Sequence, residues 1–461
     1  MNEQLTPPKI SKSFLKQNSP VLKLLVIFIL VLLLLIPLGM VKSVLFERMS
    51  RRNQAIGEIT STWGKEQIII GPVLVIPYRY YFKTWKEQVV LGKSEKTEIV
   101  DSAVSHAYFL PADVDIQGTL LPNKLYRGIY EAIVYNGKLK LSGTFLPPDF
   151  EKLKIKGKDV LWEDALVTFG ITDLRGISET LTLKWGSRTF PLVPGSKING
   201  VVSGVHARVA DVKTAAKEVP FELALTLNGS KGIRFSPVGM KNKITLGSSW
   251  PDPSFQGMFL PVERKITPNG FEAQWRMSYY GRNFPQQWTD QDDKVRFTSD
   301  TVNTSLFGVD LISLVDSYRL VERSIKYGIL FITLIFTAFF LFEFVAARRI
   351  HVIQYALVGG ALCLFYLVLL SLSEFIGFPL AYFAGVVAST LMISLYSMKV
   401  LKGGRQSMAV AVLLVIIYGF LYIILQMQDY SLLVGTIGLF IALAVVMYTT
   451  RNIDWYSREE K

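Results

Sequence analysis

Two carboxylates stand where carboxylates are costly. Glu343 lies in "FFLFEFVAARR" and Glu374 in "LLSLSEFIGFPLAY", both within long apolar runs. An acid at bilayer depth is a candidate for an ion path, a proton relay or a catalytic group. Glu374 falls just past the outer end of a span, and Pro379 fits the first turn of the next. It is therefore either a solvated turn carboxylate at the interface or a group facing a polar cleft between the membrane bundle and an outer domain. Glu343 falls inside a span, about one turn from Arg348, with which it could snorkel and pair. A third candidate is Trp455 in "TRNIDWY". Beside Arg451 it reads as an interfacial aromatic or as part of a cytoplasmic docking motif.

Other chemistry is sparse. The three histidines, His106, His206 and His351, have no second metal-type ligand at helical or hairpin spacing. The chain contains no H-E-x-x-H, C-x-x-C, G-x-x-x-x-G-K-[ST] or G-x-S-x-G, so nothing marks a metalloprotease, an NTPase or an α/β-hydrolase. No cofactor or metal is expected, and the expectation is a protein that is not an enzyme. The net charge of +13 comes without a basic helix or RNA-binding aromatics, so no nucleic acid is expected. The cytoplasmic share of that charge suits anionic lipid headgroups.

The elements that must position these residues follow from hydropathy. Half of the 461 residues are hydrophobic, and they are concentrated at the two ends of the chain. A nearly continuous Leu/Ile/Val run from about Leu24 to Val41 is too long for a signal-peptide core. It reads as an uncleaved signal anchor over residues 21–43, following a cytoplasmic tail at 1–20, with Pro37 as a kink. Residues 44–323 read as a soluble domain. Within 324–450 five stretches can cross about 30 Å of hydrocarbon: Tyr327–Ala347, Val352–Leu372, Phe378–Ser397, Met408–Leu425 and Leu432–Tyr448. Residues 451–461 form a second tail. The fold class expected is an α-helical polytopic membrane protein of six spans, with a large, mainly β periplasmic domain between the first and second. Cys363, the only cysteine, lies in an apolar run and reads as a small buried residue.

Loop charge assigns the sides. Arg348 and Arg349, then Lys399, Lys402 and Arg405, then Arg451 mark alternate loops, while "SLSEFIGF" and "QMQDYS" carry no Lys or Arg. Both termini are then cytoplasmic. Lys9, Lys12, Lys16 and Lys23 agree. Lys42, Arg48, Arg51 and Arg52 do not, but long domains translocate largely regardless of charge.

The insert alternates as strands do. Phe221, Leu223, Leu225 and Leu227 share one face of "FELALTL", and Phe271, Ala273, Trp275 and Met277 one face of "FEAQWRMSY". Asn136-Gly137 and Asn269-Gly270 predict hairpin turns. The insert could be one or two β subdomains. Leu45, Met49, Arg52, Ile56, Ile59 and Trp63 recur at helical spacing, predicting a stalk that continues the anchor. "DSYRLVERSIKYG" predicts a second stalk, capped by Asp316 and running straight into the second span.

Long ordered stretches then resemble one family. "LLLLIPLGMVKSVLFER" (Leu32–Arg48), "GPVLVIPY" (Gly71–Tyr78), "WPDPSFQGMFLP" (Trp250–Pro261), "GFEAQW" (Gly270–Trp275), "SLSEFIGF" (Ser371–Phe378) and "TRNIDWY" (Thr450–Tyr456) look like the CreD, or cell envelope integrity, family. The segment from Lys197 to Val219 matches less well. The resemblance implies a Gram-negative inner-membrane protein tied to envelope stress and the Cre two-component system, influencing tolerance of colicins or β-lactams. It carries no catalytic or ligand residues over. The partners expected are membrane lipids and, for the outer domain, envelope components or other inner-membrane proteins. The alternative is a transporter of small molecules or lipids using Glu374 and Glu343.

Overall fold

A computed structural model describes residues 20–451, apart from 91–92, 199, 210–211, 213–217, 293–298, 313–316, 346–349, 402–403 and 428–429. Trp455, Arg348, Arg349, Lys402 and the Asp316 cap lie outside the described residues. The chain divides into two compact units. One holds the residues up to Arg52 and from Val315 onward, the other Asn53–Leu314.

Helix α1 (Pro20–Trp63) contributes to both units. It runs on through Pro37, so the predicted anchor and first stalk are one helix. Strands β1 (Gln67–Val90), β2 (Lys93–Phe109), β3 (Asp113–Arg127), β4 (Tyr130–Phe145), β5 (Leu166–Ile171) and β6 (Thr182–Trp185) follow. Next come β7 (Arg188–Pro191), β8 (Val193–Pro194), β9 (Gly204–Arg208), β10 (Val219–Ser230), β11 (Gly232–Phe235) and β12 (Lys241–Ser248). The β unit is completed by β13 (Pro253–Gly257), β14 (Glu263–Thr267), β15 (Gly270–Ser278), β16 (Gln287–Thr289), the short α2 (Ser299–Asn303) and β17 (Phe307–Leu311).

Two sheets form. One runs β13-β17-β11-β1-β5-β9-β8, with β2 on β1 and β16 on β2; the other runs β14-β15-β12-β3-β4-β10-β6-β7. The alternation in β10 and β15 holds: Phe221, Leu223, Leu225, Leu227, Phe271, Ala273 and Trp275 are buried. They join Val73, Ile76, Phe169 and Phe307 of the other sheet in one continuous core. Phe255 and Phe307 meet Trp275 at 5.7 and 6.0 Å between ring centroids. Among the described residues the two sheets thus share one main core, with a small separate cluster of Ile59, Ala132 and Val134. Beyond the pair Tyr78–Ser105, β1 and β2 continue as a ribbon to Val90–Lys93.

One predicted turn is wrong. Asn136-Gly137 sits mid-strand in β4, where Gly137 faces Leu120 of β3 and Leu227 of β10. The turn falls instead at Gly128-Ile129, between the paired Arg127 and Tyr130, with Gly128 at φ +61°. Asn-Gly signals a turn only where no neighbouring strand claims its hydrogen bonds. Here Asn136 Nδ2 donates to Asn228 Oδ1 at 3.0 Å. The other hairpin exists, but its loop is Pro268-Asn269, and Gly270 opens β15 at φ +133°. Its hydrogen stands where a Cβ would lie 2.1 Å from the Ser248 carbonyl oxygen.

The helical unit continues with α3 (Ser317–Lys326), α4 (Gly328–Val345), α5 (Val352–Ile376), α6 (Phe378–Leu401), α7 (Gly404–Gln426) and α8 (Ser431–Thr450). Five helices are each long and apolar enough to cross a membrane: α1, α5, α6, α7 and α8. A sixth crossing exists only if α3 and α4 count together, and they meet at a 46° bend. The second stalk is thus helical but does not run straight on. The bend falls at Gly328, where a Cβ would stand 2.8 Å from Leu38 of α1. Only a residue without a side chain fits beside Leu38 there, and glycine is also a weak helix former, so the break coincides with a close approach of α1.

Candidate functional site

Both acids contact the same helix. Lys23 and Arg48 flank the apolar stretch of α1, 25 positions apart, or about 38 Å at 1.5 Å per residue. Each cation meets one of the two acids.

Glu343 lies on α4, its side chain 10% exposed. Lys23 Nζ bonds its Oε1 and also donates to the Ile350 carbonyl at 2.8 Å. The Tyr355 hydroxyl on α5 donates to Oε2 at 3.2 Å, and the Lys23 ammonium lies 5.9 Å from the centre of the same ring. Phe336 of α4 packs edge-on against Tyr355 at 5.6 Å. Among the described residues the ion-pair partner of Glu343 is Lys23; the predicted partner, Arg348, lies outside them. Beside this cluster His351 is the N-cap of α5, its ring accepting from Ile353 N while Gln354 accepts from His351 N.

Glu374 lies in the last turn of α5, not in a loop, and its side chain is 6% exposed. Tyr318 of α3 donates its hydroxyl to Oε1 at 2.9 Å, and Arg48 Nη1 stands 3.8 Å from Oε2. The Arg52 guanidinium lies over the Tyr318 ring at 5.1 Å. Glu374 is therefore covered by α1 and α3 within the helical unit, which corrects the reading of a solvated turn group. Also on α3, Arg323 donates to the Ile424 carbonyl near the end of α7 at 3.2 Å.

The chemistry of both clusters is that of compensated charge. Burying a carboxylate is tolerable when a cation and hydrogen-bond donors face it. Among the described residues Glu343 meets Lys23 and the Tyr355 hydroxyl, and Glu374 meets Arg48 and the Tyr318 hydroxyl. Among the described residues no group of three His, Cys, Asp or Glu could hold a metal. Two partners were missed from sequence. Tyr318 and Tyr355 read as ordinary aromatics, and only their placement beside an acid's helix gives them a role. Lys23 registered solely as a side marker.

In the β unit, His106 Nδ1 lies 3.0 Å from Asp290 Oδ2, and Tyr108 donates to Oδ1 at 2.9 Å. Asp290 is 184 residues from His106 in sequence, so nothing in spacing could pair them. The His206 ring bonds the Gly195 carbonyl at 2.7 Å.

Apolar helices holding buried acids against one anchor, with a large β region between the first helix and the rest, define a multi-pass membrane protein. The family model for the inner membrane protein CreD matches residues 19–456. The inner membrane protein CreD of Escherichia coli (strain K12) is 31% identical over 436 residues, 94% of this chain and 93% of that protein. The chain belongs to the CreD family, and it is a multi-pass inner-membrane protein.

Proposed function

We propose that the protein supports the integrity of the cell envelope without catalysing a reaction. The β region, residues 44–323, faces the periplasm between the first and second of six spans, and both termini are cytoplasmic. The observation that carries this reading is family membership along nearly the whole chain. The alternation of cation-bearing and cation-free loops supports the orientation. Its partners are membrane lipids together with envelope components or neighbouring inner-membrane proteins. That each acid is already paired supports a structural role for Glu343 and Glu374 over a transport path.

Two experiments test this. Reporter fusions at Gly128, at Gly403 and after Thr450 should read periplasmic, cytoplasmic and cytoplasmic. Any other pattern removes the orientation. Detergent and dye permeability of a deletion strain should be restored by wild type and, at matched protein level, by Glu343→Gln and Glu374→Gln. Failure of either inserted variant would make the acids part of a transport or chemical path.

A further inference from the structure

The outward face of the β14-to-β7 sheet holds a concave site of about 630 Å³, within the range of roughly 300–1,000 Å³ typical of ligand clefts. Its floor is two cross-strand rows. Glu272, Gly247, Thr119 and Lys138 stand opposite one another across β15, β12, β3 and β4. Gln274, Thr245, Gln117 and Lys140 form the next row. Four strands span about 14 Å, and alternate residues lie about 7 Å apart, so the floor is a regular grid of polar groups.

Three observations separate this face from an ordinary solvated one. Gly247 puts no side chain where its row has polar ones, and a Cβ there would meet nothing nearer than the Phe271 carbonyl oxygen at 3.9 Å. The gap lies in the floor of the site, not in the packed interior. Second, Gln274 donates to Thr245 Oγ1 at 3.3 Å, but its Oε1 is shielded and has no partner among the described residues. Third, Lys138 and Glu272 have no ion-pair partner among the described residues, whereas neighbouring Lys140, Arg276 and Lys243 are each paired.

We propose that this groove binds a glycan chain. Its lining mixes hydroxyl and amide groups with two ammoniums, Lys138 and Lys243, and one carboxylate, Glu272, and Lys243 is already paired with Asp115. This suits a polyhydroxylated neutral ligand and leaves a polyanion a single unpaired cation among the described residues. It has no apolar pockets for peptide side chains, and it is a sheet face rather than an edge that a strand could extend. The binding chemistry rests on the groove alone; that the glycan comes from the envelope rests on the outward placement proposed above.

The test is calorimetric titration of the full-length protein in a detergent without a sugar headgroup. The probes are a tetramer of N-acetylglucosamine and a tetramer of glucose. Saturable binding of either is expected, about tenfold weaker in Gln274→Ala, as for one lost neutral hydrogen bond. It should be absent in Gly247→Leu, which fills the floor without a backbone clash. Binding of the acetylated tetramer alone assigns a wall-type glycan, and equal binding of both assigns a general saccharide site. If neither binds at millimolar concentration, or if Gly247→Leu, Lys138→Ala and Gln274→Ala all bind as wild type, the proposal fails. This result is independent of the fusion experiment, which tests placement only. Lys138→Ala and Gln274→Ala replace non-core side chains, so they decide the matter even if Gly247→Leu does not fold.

Discussion

Glu343→Gln keeps an acceptor for Tyr355 but leaves the Lys23 ammonium without its anion. The variant should lose about 3 kcal/mol, the low end for a broken buried pair, because a quarter of the Lys23 side chain stays uncovered by protein. Lys23→Met combined with Glu343→Gln removes both charges and should recover most of that loss. Apparent Tm values of the three variants in one detergent check this, and an additive double variant would sink it. A second prediction concerns Asp173 in the β unit. Arg175 hydrogen-bonds its carboxylate at 2.7 and 2.9 Å, with Lys65 N also donating, and holds it down from 3.8 to about 2. A carboxyl that titrates lower when folded contributes stability above its unfolded value, and that contribution is lost as the pH falls through the folded one. Melting followed from pH 5 to pH 2 should show a decline that is shallower in Asp173→Asn. At this scale sequence was a partial guide. It picked out Glu343 and Glu374 because acids are rare in apolar runs, but their partners come from helices up to 320 positions away. No local pattern encodes such a pairing.

At the scale of elements, hydropathy and alternation were strong signals. The apolar runs became α1 and α5 to α8, and the strict alternation of "FELALTL" and "FEAQWRMSY" became β10 and β15, because burying one face or one stripe is what those patterns do. What failed was punctuation. Asn136-Gly137 was overridden by two flanking strands, and the break at Gly328 falls where Leu38 of another helix comes close. Glycine packing yields a prediction here too. A Cβ on Gly359 of α5 would come within 2.2 Å of Leu34 of α1 and 2.9 Å of Phe336 of α4. Gly359→Val should therefore cost about 1–3 kcal/mol by overpacking and lower the yield of folded protein in detergent, whereas Gly360→Val, with nothing within 4 Å, should not. Size-exclusion profiles of the two would distinguish them. That α1 must be stiff where it passes from one unit to the other is a proposal, testable by Asn53→Gly with Gln54→Gly, two exposed positions, at a cost of about 1 kcal/mol each. Barrier function should fall while insertion is unchanged. Full function would show that the helix need not be stiff there.

On the scale of the whole molecule, membership of a known family was legible from ordered stretches spread over the chain, but the main core that the two sheets of the β unit share was not. Two sheets of distant strands can share one interior or hold two, and only their contacts decide. One further consequence concerns α1. Its two anchoring cations are about 38 Å apart, each fastened to a different neighbouring helix, so the protein carries a fixed measure of length against the lipid around it. Membranes differ in thickness by several ångströms, and a mismatch of that order costs fractions of a kcal/mol per ångström. Reconstituted in phosphatidylcholines of increasing acyl length, the protein should show one optimum of thermal stability. Lys23→Met should broaden it, since the Lys23 end of the rule would then be free to slide.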